Sequence, residues 1–268
     1  MVERPKVAFV CDDANTLEAV LRAKSLPVAV HASTIVTDDP EFPLGVRKFV
    51  ERYGDELEDM ETGLHLSWFS GKFPNNKRKL FGRNGSLLTT LTRIEKLKKR
   101  SSRLGWAAAY LANARFEPFR SDLANETLRQ VEIARDLFGS VPYITPHFGI
   151  WKWNFLYEEY HKTAHALGIP HRGATKYNRL KVHDHQLIFH DTLNHRGVTA
   201  DEVFGALRNI RKRGIPTEIC WHFGDRRYGQ QQTEAFLDER VQRELAKFDV
   251  MMPHKILEGS VFSRHSHG

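Results

Sequence analysis

Short apolar runs alternate along the chain with stretches whose apolar residues recur every three or four positions, the pattern of strands followed by helices. The first run, Val7, Ala8, Phe9 and Val10, lacks polar alternation and suits a parallel strand covered on both faces. Leu17, Val20, Leu21 and Lys24 then mark a helix that Asn15 or Thr16 can cap. A second strand is predicted over residues 26–32, with Pro27 at its start, where a missing donor does little harm. Val46, Phe49 and Val50 form one face of the next helix, and residues 63–68 the third strand. Helices follow over residues 106–113 and 123–138, the latter opened by Ser121 and Asp122 and closed by Gly139. Residues 141–149 are strand-like and lead into a helix through Trp153, Leu156, Tyr157 and Tyr160. Two short strands are predicted over residues 171–177 and 184–191. Thr199 opens a helix that ends at Gly214, residues 216–222 make a further strand, and one last helix carries Leu237, Val241 and Leu245. Strands alternating with helices in this way predict a mainly parallel sheet or barrel.

Composition narrows the class. A chain of 268 residues can bury a full core, and one large α/β domain is favoured over two small ones. No stretch approaches the roughly 18 uninterrupted apolar residues of a membrane span, and the first five residues run straight into a strand without a leader pattern. Cys11 and Cys220 are the only cysteines, each in an apolar run, so reduced buried thiols and a cytoplasmic protein are expected. The net charge of +7 and isoelectric point near 9.4 favour an anionic partner: a nucleotide-sugar, a lipid-linked phosphate, an anionic membrane surface or nucleic acid. Much of that charge falls between residues 72 and 103, with Lys77, Arg78 and Lys79 as one cluster and Lys96, Lys98, Lys99 and Arg100 as another. This segment reads as an insertion on the scaffold, and most of its charges as a solvated face. Residues 259–268 read as a flexible tail, whose histidines are set aside.

Chemistry collects at the predicted strand ends. Asp12 and Asp13 directly follow the first strand, while His65, His147 and His222 lie at or near the ends of strands far apart in sequence. In a parallel sheet those ends converge, and ligands bind there. Adjacent side chains on extended backbone point apart, so the two acids can hold different roles. One Asp and two His around an open position is a usual hydrolytic metal arrangement. A second carboxylate can take a proton from water, and a further histidine can protonate a leaving group. The residues alone also allow an Asp-rich turn capping the next helix and histidines satisfied in the core or rim. Trp68, Trp151 and Trp221 neighbour these positions and can flank a sugar ring or simply pack, with packing favoured for Trp221. His183, His185 and His190 surround an apolar strand and are candidates for a substrate pocket.

The run Val7 to Thr16, with Asp12 and Asp13 closing the strand, resembles the first motif of the polysaccharide deacetylases, the NodB-like carbohydrate esterases. Residues 26–30 fit the second strand of that fold. Gly63, Leu64, His65 and Leu66 are similar to its metal-histidine motif, especially in the YdjC-like sugar deacetylases. The run Pro146 to Trp151 falls where the family carries an arginine-containing motif, and Glu218 to His222 matches the late strand whose terminal histidine is the acid. The chain also resembles the WbmS-like branch, which is linked with O-antigen sugars and lipopolysaccharide biosynthesis. The resemblance covers about residues 5–225 outside the basic insertion, in motifs that are each short.

The resemblance implies a distorted, incomplete (β/α) barrel of about seven parallel strands. It also implies a metal-dependent carbohydrate N-deacetylase that takes zinc or another divalent metal. Asp12 would be the base, Asp13 a metal ligand with His65, and His222 the acid. Three positions depart from the pattern: Ala14 replaces a glycine, Phe69 stands where a second histidine belongs, and His147 occupies the arginine position. His147, at the end of a strand-like run, is chosen as third ligand over His31, which lies inside the predicted second strand. Trp68, Trp151 and His185 are chosen for the substrate, an N-acetylated sugar or surface-polysaccharide precursor that can be phosphate-linked. The rivals are a binding protein that docks anionic ligands on residues 72–103 and a metal-dependent phosphoesterase. The chain shows neither a Walker-type glycine loop nor a second acid cluster for a two-metal site.

Overall fold

The computed structural model describes residues 4–12, 20–21, 24–26, 28, 30–34, 46–58, 60–68, 120–147, 154–175, 186–190, 197–222 and 229–262. The basic segment at 72–103, the predicted helix at 106–113, Asp13, Trp151 and His185 lie outside them, as do His183 and the last six residues.

Seven parallel strands run β1 (Lys6–Cys11), β2 (Val30–Thr34), β3 (Thr62–Leu66), β4 (Ile144–Pro146), β5 (His171–Thr175), β6 (Gln186–His190) and β7 (Thr217–Trp221), and β7 pairs back with β1. The helices between them are α1 (Val46–Leu57), α2 (Arg120–Phe138), α3 (Asn154–Ala166) and α4 (Ala200–Arg213). After β7 come α5 (Gly229–Leu237), α6 (Glu239–Leu245), a two-residue strand β8 (Asp249–Val250) and α7 (Pro253–Phe262). The ring is uneven. β4 and β5 pair only through Ile144 and His171, and β2 reaches only Phe9, Val10 and Cys11 of β1. The first half of that edge of β1 is taken by β8, which pairs with Lys6 and Val7. The predicted distorted, incomplete barrel of about seven strands is thus the one observed.

Period-two alternation sorts the side chains. Val7, Phe9 and Cys11 of β1 face outward and pack with Ile219 and Trp221 against Leu207 and Ile210 of α4, Phe236 of α5 and Val241 of α6. Ala8 and Val10 face the barrel interior, where they meet Tyr143 and, from α7, Ile256 and Leu257. Both cysteines are buried and unbridged, as expected.

Helix boundaries follow cap chemistry closely. Thr199 and Glu202 form a reciprocal capping box at the start of α4, and Gly214 closes it in the left-handed region at φ 63°. Gly139 does the same after α2 at φ 76°. Two readings need correction. The second strand lies at Val30–Thr34 rather than 26–32, which makes His31 its second residue instead of a near-terminal one. The single late helix is three: Asp238 caps a new helix after Leu237, and β8 then returns the chain to the sheet.

Candidate active site at the carboxyl end of the barrel

Inward residues on or beside four strands, reaching toward the carboxyl end of β1, build one polar cluster. Asp12 follows β1 directly, held by its own N–H donating to the Trp221 carbonyl at 2.9 Å, and the residue is only 3% exposed. Arg172 on β5 grips it with both ends of the guanidinium, Nη1 to Oδ2 at 2.6 Å and Nη2 to Oδ1 at 2.9 Å. The Arg172 Nε donates to Glu218 Oε1 at 2.6 Å, and Nη2 also contacts that oxygen. Glu218 Oε2 accepts from the Tyr143 hydroxyl. One fully buried guanidinium therefore sits between two buried carboxylates. Such a group is stable only when paired in this way.

Titration behaviour follows. Burial alone would raise the Asp12 carboxyl, but attraction to Arg172, then to His65 and His222, holds it well below the usual carboxylate range. Glu218 is raised, because burial outweighs its share of the same arginine. Burial and the neighbouring Glu218 push Tyr143 well up, so it donates as a neutral phenol. Cys220 donates its thiol to Asp12 Oδ2 at 3.0 Å, and burial and that acid hold it well above its ordinary value.

His65, on β3, stands with Nδ1 at 2.7 Å from Thr145 Oγ1 and 3.7 Å from Asp12 Oδ1. Burial lowers its pKa to about 4, so the ring is neutral at physiological pH. His147, directly after β4, lies beside it with ring centres 4.9 Å apart, and Ser67 Oγ is 3.1 Å from its Nδ1. Ser67 is itself fixed: Gln130 of α2 accepts from its N–H at 3.1 Å and donates to its carbonyl at 2.7 Å. His222 follows β7, its N–H bound by Gln232 of α5 at 2.8 Å and its Nδ1 3.9 Å from the Cys220 sulfur.

Of the residues predicted for the site, the structure brings together Asp12, His65, His147 and His222. Asp13, Trp151 and His185 are outside the described residues. Trp68 is a correction. It shares the outward parity of Leu64 and Leu66, is 0% exposed and donates its indole N–H to Thr127 of α2 at 3.0 Å, so it packs under a helix instead of facing a sugar. Trp221 is likewise outward, against Phe9 and Phe236, as the packing alternative expected. His31 points to the opposite end, with Nδ1 2.7 Å from Glu61 Oε1.

Arg172, Glu218, Tyr143 and Thr145 escaped the sequence reading. A signal for two of them was present: Arg172 and Glu218 are opposite charges inside strands otherwise apolar or small. A strand-interior charge in a barrel needs a partner.

A metal fits the histidine pair. Both rings have Nδ1 on a hydroxyl, the outer-shell arrangement that orients Nε2 toward a cation, and His65 is deprotonated as a ligand must be. Asp12, Cys220 and His222 also offer ligand atoms within 4.8 Å of one another. That grouping suits a cation less well, since Arg172 already occupies both Asp12 oxygens and adds a fixed positive charge.

Fold and site together define a parallel α/β barrel with a charged, histidine-bearing carboxyl end. A structure from Enterococcus faecalis V583, provisionally assigned to cellobiose-phosphate cleavage, superposes with a TM-score of 0.67 at 12% identity, over 95% of this chain and 99% of that one. At such identity the likeness is one of fold. Two looser matches are a Xyl-CE4 domain of a multidomain xylanase from the hindgut metagenome of Trinervitermes trinervoides and a polysaccharide deacetylase from Bacillus cereus. The first has a TM-score of 0.49 at 10% identity over 96% of this chain and 91% of that one; the second has 0.42 at 12%, over 91% and 88%. No family model and no curated protein sequence matches the chain. Among the described residues, no helix is long and apolar enough to cross a membrane.

Proposed function

We propose that the protein is a metal-dependent carbohydrate N-deacetylase, removing an acetyl group from an N-acetylated sugar. One observation carries the reading: an ionised acid locked by arginine stands 3.7 Å from a neutral histidine that is paired with a second histidine, at the end of the barrel where ligands bind. His65 and His147 would hold the cation, with Asp13 as the third ligand. Bound there, a divalent cation supplies Lewis-acid polarisation of the carbonyl and of the attacking water.

The chain's own residues supply the rest. Asp12 accepts the proton of the water that attacks the acetamide carbon. Arg172 fixes the orientation of Asp12 and keeps it ionised, at some cost in basicity. His222 gives a proton to the departing amine, which is too basic to leave unprotonated. The net charge of +7 favours an anionic sugar, such as one linked to phosphate.

Asp12→Asn provides the test. The variant should retain metal and lose hydrolysis of N-acetylated sugar oligomers, whereas Asp13→Asn should lose both. Equal loss of metal in the two variants would contradict the assigned roles. Neutralising Lys77, Arg78 and Lys79 together should raise KM for a phosphorylated substrate and flatten its salt dependence. An unchanged KM would return the basic segment to a solvated surface.

A further inference from the structure

A second group of histidines lies on the outside of the barrel, away from Asp12. His161 and His165 are one turn apart on α3, the i, i+4 spacing that puts two imidazoles on one helix face and suits a shared cation. His171 opens β5 and faces outward, opposite in parity to the inward Arg172. It is fully buried, with its ring edge-on to Tyr160 at 5.3 Å. The turn between helix and strand is rigid. Gly168 takes the left-handed conformation at φ 64°, its N–H donates to the His165 carbonyl at 2.9 Å, and the Ile169 N–H donates to the Ala164 carbonyl at 3.1 Å. This double bond pattern is the Schellman closure, and it sets His171 back against the helix it has just left.

The protonation pattern points the rings at each other. His171 Nδ1 lies 3.0 Å from the Ile169 carbonyl, which can only accept, so the proton is on Nδ1 and Nε2 carries a lone pair. That Nε2 is 2.8 Å from His161 Nδ1, which must then be the donor. A histidine whose Nδ1–H is held by a backbone carbonyl is the usual form of a metal-ligating imidazole. Two ligand nitrogens on a tetrahedral zinc are about 3.3 Å apart, so a cation replacing the shared proton needs about half an ångström of opening. His165 is exposed, and its ring centre is 5.9 Å from that of His161, within reach of side-chain rotation.

We propose that His161, His165 and His171 form a site for a borderline divalent transition cation such as Zn2+, fastening the last turns of α3 to the start of β5. The site closes around the ion: zinc displaces the proton between His161 and His171, His165 swings in as third ligand, and water completes the sphere. It is independent of the deacetylase reading.

The test is Zn2+ titration of the metal-stripped full chain, made without a histidine tag and carrying His65→Ala and His147→Ala to remove the other candidate site. One equivalent should still bind and raise the unfolding temperature. Adding His165→Ala, at an exposed position that endangers no packing, should weaken that equivalent by at least about tenfold. Adding His161→Ala as well should abolish it. No zinc bound in the first background, or an affinity indifferent to His165→Ala, would overturn the proposal.

Discussion

The two ends of the barrel each bury histidines beside a carboxylate, and they are built for different purposes. At the carboxyl end, Asp12 is gripped by the permanent cation Arg172, while the Nδ1 atoms of His65 and His147 rest on hydroxyls. At the amino end, Glu61 is shared by two histidines: His31 Nδ1 lies 2.7 Å from Oε1, and His254 Nδ1 lies 2.7 Å from Oε2 as a close polar contact. Burial pushes the Glu61 carboxyl up, but its bond to His31, its contact with His254 and their attraction together outweigh that and hold it below its ordinary pKa. His254 belongs to α7, whose Ile256 and Leu257 pack on the inward residues of β1, so Glu61 ties that helix to β2 and β3. The same residue types thus line the proposed active site at one end and a closing contact at the other. What separates them is the counter-charge and the position along the strand.

The contrast can be broken most severely at Asp12. Asp12→Asn should lower kcat against an N-acetylated sugar by about 10³-fold, the scale of a lost general base. His31→Ala should leave kcat within about threefold, since the ring lies at the far end. Comparable losses in steady-state kinetics would erase the distinction between the ends.

Arg172→Met should be the most damaging change for stability, by about 3–5 kcal/mol in denaturant unfolding, because it strands two buried carboxylates. A loss under about 1 kcal/mol would mean that Asp12 and Glu218 find other partners.

Acid should act on the carboxyl end next. The folded pKa of His65, about 4, lies below its ordinary 6.5, so the unfolded chain takes up the proton first. Its contribution is complete above that ordinary value and is lost as pH falls toward 4, about 3 kcal/mol in the metal-stripped protein. His65→Gln should flatten that part of the stability profile, and an unchanged slope would contradict the buried neutral ring.

At the amino end the expected effect is smaller. A methyl group on Gly63 would lie 2.3 Å from His31 Nε2 and 2.5 Å from the Tyr143 carbonyl. Gly63→Ala should therefore destabilise by about 1–3 kcal/mol through overpacking. The same substitution should leave the proposed metal ligands His65 and His147 in place, which metal content of the folded variant would check.

Much of the barrel was legible because strand and helix signals here are local. Thr199, Glu202 and Gly214 specify α4 from within a few residues, and apolar runs mark most strands. The second strand was misplaced because Leu26 and Val28 read as strand by composition, while among the described residues pairing with β1 and β3 begins at Val30 and Ala32. Of the site, residues at strand ends were legible, since parallel strands carry their ends together. Arg172 and Glu218 were not weighed, because their partner is 46 residues away and only the closed ring brings them together. Trp68 misled for a related reason: proximity to His65 in sequence says nothing of parity, and three positions along a strand reverse the face.

Metal content of His147→Ala set beside His31→Ala tests the central claim, that the cation belongs to the carboxyl end. Elemental analysis of tag-free protein should show that His147→Ala lacks one equivalent held by the parent chain, while His31→Ala retains it. Loss from His31→Ala with retention in His147→Ala would move the metal to the other end and contradict the account.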